Sequence, residues 1–260
     1  MYHKMQEGTG GRRPYFETRM SPRIFESHLQ YLASHGYHTI ELGQATDSIS
    51  ASAPSKAVVV TFDDGYRDFY TDAFPLLMQF GFSATVFLIT SFVGSHPSGK
   101  ESSEYMSWNE VREAHARGIT FGSHTVTHPD LQQLTAEGID RELAISKLTI
   151  EDELGCKVQS FSYPNAFPRH NRQLIDRMRS ALWSFGYDNA ATTMIGTATS
   201  HCDCFALPRL PINVHDDLHL FEAKLEGAYN WMQYAQSAWK RLIATGRIAS
   251  RSTHPINRIA

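Results

Sequence analysis

Two adjacent carboxylates and, sixty residues further on, two histidines four apart are the residues of this 260-residue chain whose types and spacing could do chemistry. The carboxylates stand in Thr61-Phe62-Asp63-Asp64-Gly65, directly after the apolar run Ala57-Val58-Val59-Val60. Successive side chains on a strand point to opposite faces, so Asp63 and Asp64 share a site only where a strand ends and turns, and Gly65 permits that turn. Two neighbouring carboxylates repel unless a cation, a shared proton or a dense set of hydrogen bonds compensates. A solvated β-turn is the alternative, since Asp-Gly pairs form turns readily. The histidines stand in Ser123-His124-Thr125-Val126-Thr127-His128-Pro129, after the short run Ile119-Thr120-Phe121-Gly122. On a helix the two rings would share a face, but the β-branched Thr125, Val126 and Thr127 and the following Pro129 favour a strand-end loop or a tight turn. Either geometry lets both rings converge. Neutral imidazole is the commonest zinc ligand, and two histidines with one carboxylate and an open position form a standard catalytic arrangement. Thr125 stands where helix-borne zinc proteases carry Glu, so their pattern is absent. Surface or core histidines are the plainer explanation of the spacing alone; the strand-end carboxylates upstream make the combination specific.

Both motifs need strands that end side by side. Apolar runs at 57–60, 84–89 and 119–121 alternate with amphipathic stretches, the order of a parallel β/α barrel, and such barrels build their active sites at the C-terminal strand ends. Helices are expected over 67–80, 108–117, 135–154 and 171–181. Another is expected from Ser21 as N-cap, with Pro22 in its first turn, through Ile24, Phe25, Leu29 and Leu32 to Gly36. The stretches 48–55 and 91–103 are rich in Ser, Pro and Gly and read as loops, the second a candidate wall of a cleft. There is no internal repeat, and the length suits one domain with a large core.

Taken together, Thr61 to Gly65 and His124-Thr125-Val126-Thr127-His128 resemble the first and second motifs of the NodB-homology polysaccharide deacetylases, carbohydrate esterase family 4. Phe161-Ser162-Tyr163-Pro164-Asn165 resembles the third. Asp72-Ala73-Phe74-Pro75-Leu76-Leu77 and Gly81-Phe82-Ser83-Ala84-Thr85-Val86-Phe87-Leu88 resemble the helix and strand that follow the first motif, and the likeness runs from residue 1 to the 230s. The resemblance implies an α/β fold, an irregular (β/α) barrel that is seven-stranded and incompletely closed. Length and composition suit one such domain over 1–245, and the polar, apolar-poor stretch from Gly246 reads as a mobile tail over 246–260. The resemblance implies that Asp64, His124 and His128 hold a divalent metal, zinc, and that Asp63 is the base taking a proton from the attacking water. The backbone N–H of Asn165 would stabilise the oxyanion, with Tyr163 on the same oxyanion and substrate side. The implied reaction removes the N-acetyl group of an N-acetylated sugar or polysaccharide.

The chain departs from that pattern in two places. Many members take their general acid from a late Leu-x-His motif, whereas here the C-terminal third offers His215 and His219 around Asp216-Asp217, with Leu218 and His219 adjacent. One branch, resembling the poly-N-acetylglucosamine deacetylases, is circularly permuted and draws its acid from an N-terminal Tyr-His element. The opening Met1-Tyr2-His3-Lys4-Met5 therefore nominates His3, a frayed chain start being the alternative. Where the family often has an arginine that orients the catalytic aspartate, this chain has Ser160. Arg209, within Leu207-Pro208-Arg209-Leu210-Pro211-Ile212, is the candidate to restore that charge from another strand, a surface arginine being the alternative.

With 24 basic against 27 acidic residues the net charge is −3 and no basic stretch follows one element, which speaks against nucleic acid. No run reaches the ~20 apolar residues that span a membrane, and Met1-Tyr2-His3-Lys4 lacks the apolar core of a signal peptide. The sequence as it stands reads as cytoplasmic, or extracytoplasmic if a leader has been removed. Three cysteines cannot all pair, which suits a reducing compartment. His201-Cys202-Asp203-Cys204 is a rival metal cluster, too tightly spaced for a zinc finger and without a second pair. Tyr105, Trp108, Tyr163, Phe167 and Trp183 lie near the motifs, as core residues before subsites; Tyr229, Trp231, Tyr234 and Trp239 could cap the barrel. Two other functions fit the same residues: an amidohydrolase acting on a small amide or cyclic imide, and a catalytically silent carbohydrate-binding relative.

Overall fold

The apolar run at 57–62 changes partners midway, and this decides the architecture. A computed structural model describes residues 1–7, 17–44, 56–95, 104–199 and 201–232. The expected loop at 48–55, the later part of the one at 91–103, the tail at 246–260, Tyr234 and Trp239 lie outside these residues. Along the chain run β1 (Lys4–Met5), β2 (Arg19–Met20), α1 (Pro22–Ser34), β3 (His38–Thr39), β4 (Ala57–Val58) and β5 (Thr61–Phe62). A π-helical turn at Phe69–Ala73 leads into α2 (Phe74–Phe80), followed by β6 (Thr85–Leu88), α3 (Trp108–Ala116), β7 (Thr120–Ser123) and α4 (Ala136–Leu154). Then come β8 (Ser160–Ser162), α5 (Arg172–Ser184), β9 (Asn189–Ile195), β10 (Leu207–Arg209) and α6 (Leu218–Leu225).

The main sheet is all-parallel, in the order β10-β9-β8-β7-β6-β5, and curls into an incompletely closed half-barrel of six strands among the described residues. This corrects the seven strands expected from the resemblance. β4 pairs with β3 in a separate two-stranded sheet, while β5, only two residues further on, pairs with β6. One apolar run thus serves two sheets. The remaining gap is bridged by two residues too short to form a strand. Tyr2 N–H donates to Thr61 O (2.8 Å) and Asp63 N–H to Tyr2 O (3.0 Å), while Ile212 N–H donates to Met1 O (3.0 Å). A cavity of about 320 Å³, lined by Leu32, Val58, Leu207, Leu210 and Ile212 among others, marks the open side.

The helices follow their local signals. α3 starts at a capping box in which Ser107 Oγ accepts from Glu110 N–H while Ser107 N–H donates to the Glu110 carboxylate (2.8 Å). α4 runs from a Thr135 cap to a left-handed Gly155, matching the stretch expected at 135–154. α1 ends near its expected stop and begins at Ser21 as N-cap, as expected, but the Ser21 hydroxyl makes no cap hydrogen bond and donates to Glu7 instead. The helix expected at 67–80 is interrupted, since Pro75 has no N–H for the carbonyl four residues back and the turn before it widens to π geometry.

Phe62 ties the pieces together. Its buried ring stacks on Tyr2 (5.2 Å) and meets Phe25 of α1 (5.7 Å) and Phe69 (4.8 Å) edge-on, so the N-terminal segment, α1 and β5 share one core. Each such ring contributes roughly 1.5–3 kcal/mol when fully buried. Gly122 sets the spacing of β6, β7 and β8: a Cβ there would lie 2.6 Å from the Phe87 ring and 2.8 Å from Ser160 O. No helix among the described residues is long and apolar enough to cross a membrane.

Candidate metal centre

The C-terminal ends of β5, β7 and β8 converge, and the chain leaves each of them through left-handed backbone. Asp64 (φ 74°), Thr125 (φ 71°), His128 (φ 56°) and Asn165 (φ 59°) all have positive φ, as does Gly65 (φ 74°). For a β-branched residue such as Thr125 this is a strained conformation, and strain of this kind gathers at functional sites. At Gly65 a side chain would also strike Leu88, 2.7 Å from the Cβ position. These turns aim Asp64 and the two imidazoles at one point.

Among the described residues, Asp64, His124 and His128 form the group of three metal-ligating side chains whose donor atoms lie within 4.8 Å of one another. His124 Nε2 is 3.4 Å and His128 Nε2 3.7 Å from Asp64 Oδ1, and the two rings meet at 4.9 Å. The donor set fits a divalent cation. The Ser162 carbonyl, 2.8 Å from His124 Nδ1, can only accept, so Nδ1 carries a proton and Nε2 is the nitrogen turned to Asp64, the one that could serve as a ligand atom. Burial alone would raise the Asp64 carboxyl, but the hydrogen bond and charge of His124 and the charge of His3 hold it below the ordinary value. Burial pulls His124 down, and Asp64 and Asp63 outweigh that and raise it; burial and the charge of His124 lower His128. Among the described residues His201-Cys202-Asp203-Cys204 gathers no such group: Asp203 pairs with Arg179, and Cys202 and Cys204 are free thiols.

Asp63 is held differently. It is 2% exposed and receives a bidentate clamp from Arg209, with Nη1 on Oδ1 and Nη2 on Oδ2, both at 2.7 Å. The guanidinium is itself fixed by donating to Ser162 Oγ (2.9 Å) and Thr192 O (3.0 Å), and it lies over the Phe87 ring at 5.6 Å. Burial would raise the Asp63 carboxyl; the charges of Arg209 and His124 and the Arg209 hydrogen bonds overcome it and hold the group far below the carboxylate range. Arg209 reaches the site from β10, whose Pro208 is tolerated because β10 is the sheet edge.

His3 follows Tyr2, whose backbone is bonded to β5 on both sides of Phe62, and this brings the imidazole into the fields of Asp63 and Asp64. Burial lowers its pKa against the pull of both carboxylates. Asn165 is exposed on the turn after β8, and its Nδ2 donates to Pro129 O (3.3 Å), linking the third motif to the residue after His128. Tyr163 is 2% exposed, with its ring packed edge-on against Phe161 and Phe167, so it supports that turn from inside the core. His215 and His219 are exposed beyond β10. The sequence reading did not single out Ser162, Thr61 or Thr192 as partners of the arginine. Only the polar character of the strand ends at Ser162 and Thr61 could have signalled them.

Comparison with known proteins agrees with this geometry. The family model described as polysaccharide deacetylase matches residues 50–187. The Bacillus subtilis polysaccharide deacetylase YxkH is 31% identical over 215 residues, covering 82% of this chain and 70% of that protein. The Escherichia coli K12 poly-beta-1,6-N-acetyl-D-glucosamine N-deacetylase is 36% identical over 107 residues, 36% of this chain and 16% of that protein's length. In fold, the chain is similar to the Streptococcus pyogenes deacetylase PplD in complex with acetate, with a TM-score of 0.74 at 23% identity over 86% of this chain and 95% of that one.

Proposed function

Because the chain belongs to the polysaccharide deacetylase family, we propose that it hydrolyses the acetamide of an N-acetylated sugar or polysaccharide at the Asp64-His124-His128 centre. The observation that carries this reading is the pairing of an Asp-His-His donor set with an adjacent carboxylate that has its own arginine. Asp64, His124 and His128 would hold a divalent cation, zinc in this reading, which when bound polarises the substrate carbonyl and acidifies water. Asp63 is the general base. The Arg209 clamp keeps it ionised and fixes its direction, so that it could accept a proton from the attacking water. The backbone N–H of Asn165 would donate to the oxyanion as the carbonyl becomes tetrahedral, with buried Tyr163 holding the turn that presents it. His3 would return a proton to the leaving amine from within the fields of Asp63 and Asp64, whose charges favour its protonated form against the burial that lowers its pKa. The Tyr2-His3 element and the likeness to the Escherichia coli enzyme support a substrate of the poly-N-acetylglucosamine kind.

The test is acetate release from N-acetylglucosamine oligomers by protein stripped of metal and reloaded with zinc or cobalt. Acetate that appears only on reloading is expected. Tight metal binding with no acetate from any oligomer would overturn the reading.

A further inference from the structure

The loop between the two histidines is held from both sides, and one of the two holds comes from a helix that no part of the reaction uses. On one side Thr90 N–H donates to Thr125 O (3.2 Å) and Ser91 N–H to Val126 O (3.0 Å). On the other, Glu142 in the second turn of α4 accepts from Val126 N–H (2.7 Å) and Thr127 N–H (3.0 Å) through Oε2, and from the Thr127 hydroxyl (2.7 Å) through Oε1. Successive amides next to a left-handed residue form a concavity that attracts an anion, and here it is filled by the chain's own carboxylate. α4 is meanwhile fixed to the end of β7 by a buried contact between Ser146 Oγ and Ser123 Oγ (2.6 Å), and Ser123 Oγ in turn accepts from Thr125 N–H (3.2 Å). The helix is therefore a rigid anchor for the carboxylate.

We infer that Glu142 is a positioning residue for the metal centre, holding the strained Thr125-Val126-Thr127 backbone so that His124 and His128 keep their Nε2 atoms on Asp64. The inference rests on the metal-centre reading above. Thr125 and His128 have left-handed backbone that neither residue favours in isolation, so something outside the loop must hold it. Thr125 Oγ1 supplies part of this by accepting from His128 N–H (3.0 Å). The Glu142 bonds fix the two residues in between from the α4 side, through both N–H groups and the Thr127 hydroxyl, while Ser91 holds the Val126 carbonyl through its N–H (3.0 Å) and its hydroxyl (2.6 Å) from the other. Charged acceptors make the stronger hydrogen bonds, and groups that orient ligands from outside the coordination sphere typically control 10–100-fold in metal affinity.

The experiment measures cobalt affinity by chelator competition, the visible absorption of the cobalt protein, and amide exchange at Val126 and Thr127 without metal. The full chain is compared with Glu142→Ala and Glu142→Gln. Glu142→Ala is expected to bind cobalt about 10–100-fold more weakly, with a changed absorption band and faster exchange at both amides. Glu142→Gln keeps an oxygen for both N–H groups and is expected to stay close to wild type. If Glu142→Ala does not fold, Thr127→Val removes the hydroxyl bond alone and is expected to show a smaller shift of the same kind. Wild-type affinity, band and exchange in Glu142→Ala would overturn the inference, as would a lowered melting temperature with an unchanged band and affinity. If the wild-type chain takes up no cobalt, the metal reading fails separately, and amide exchange alone then decides whether Glu142 pins the loop.

Discussion

Asp63 and Asp64 are neighbours in the chain, yet the two sides of the half-barrel treat them in opposite ways. On the β9–β10 side Asp63 meets a guanidinium that matches both its oxygens, so its charge is compensated within the protein. On the β7 side Asp64 meets two imidazoles 3.4 and 3.7 Å away, donors as ready to share a cation as to supply a proton. A strand-end carboxylate pair is costly while both charges are unmet. The difference teaches that the fold neutralises one carboxylate permanently and leaves the other to a ligand. This is the physical basis for proposing the first as base and the second as metal ligand.

The largest effect is expected from Asp63→Asn. It would remove the proposed base and keep the side chain's shape, so turnover should fall by ~10²–10⁴ with the cobalt absorption intact. An unchanged rate would place the base elsewhere. Next comes the clamp itself. Arg209→Met leaves Asp63 buried without its partner, and removing one member of such a pair typically costs about 3–5 kcal/mol in unfolding free energy. The pH dependence sharpens this prediction. The Asp63 carboxyl is depressed in the folded state, so its contribution is present above the ordinary carboxylate pKa and is lost only as pH falls toward the lowered value. Urea unfolding of wild type and Arg209→Met should therefore differ at pH 7 and converge only in strong acid.

The β10 side also carries a titrating group away from the site. His28 is fully buried, stacked on Phe221 at 4.0 Å, with Nε2 against Asp216 O (2.8 Å), and burial above all pushes its pKa down to about 4. Below its ordinary value near 6.5 the unfolded chain takes a proton that the folded chain refuses, so stability falls as pH drops from there to about 4. The loss approaches about 3 kcal/mol at the rate of 1.36 kcal/mol per pKa unit. His28→Phe should flatten that slope in urea titrations at pH 7 and pH 4.5; an unchanged slope would assign it to other groups. The smallest expected change is for His3→Gln, about 10²-fold in turnover with metal content unchanged, at the low end for a lost general acid. Wild-type turnover would remove His3 from that role.

The β7 side was legible in the sequence and the β10 side much less so. Apolar runs ending in Asp-Asp-Gly or in His-Thr-Val-Thr-His announce strand ends, and the helices expected over 108–117 and 135–154 match α3 and α4 to within a residue or so. β9, Asn-Ala-Ala-Thr-Thr-Met-Ile, is largely buried through small and hydroxyl side chains and has no strong apolar pattern. β10 is three residues with a proline in the middle. Arg209 could be aimed at Asp63 only through the resemblance, because no local pattern links residues 146 positions apart. The seven strands came from the resemblance, and pattern could not correct them, because it cannot show that one apolar run holds β4 and β5 and pairs with two sheets. The left-handed backbone at Asp64, Thr125, His128 and Asn165 was also invisible, since none of them is the glycine that would announce it.

The central claim, that adjacent carboxylates are divided between a built-in and an acquired countercharge, is tested most directly by the metal content of purified Asp63→Asn and Asp64→Asn beside wild type after zinc reloading. The account predicts that Asp63→Asn keeps a wild-type complement of zinc and Asp64→Asn loses it. Loss of zinc from Asp63→Asn with retention in Asp64→Asn, or equal retention in both, would contradict it.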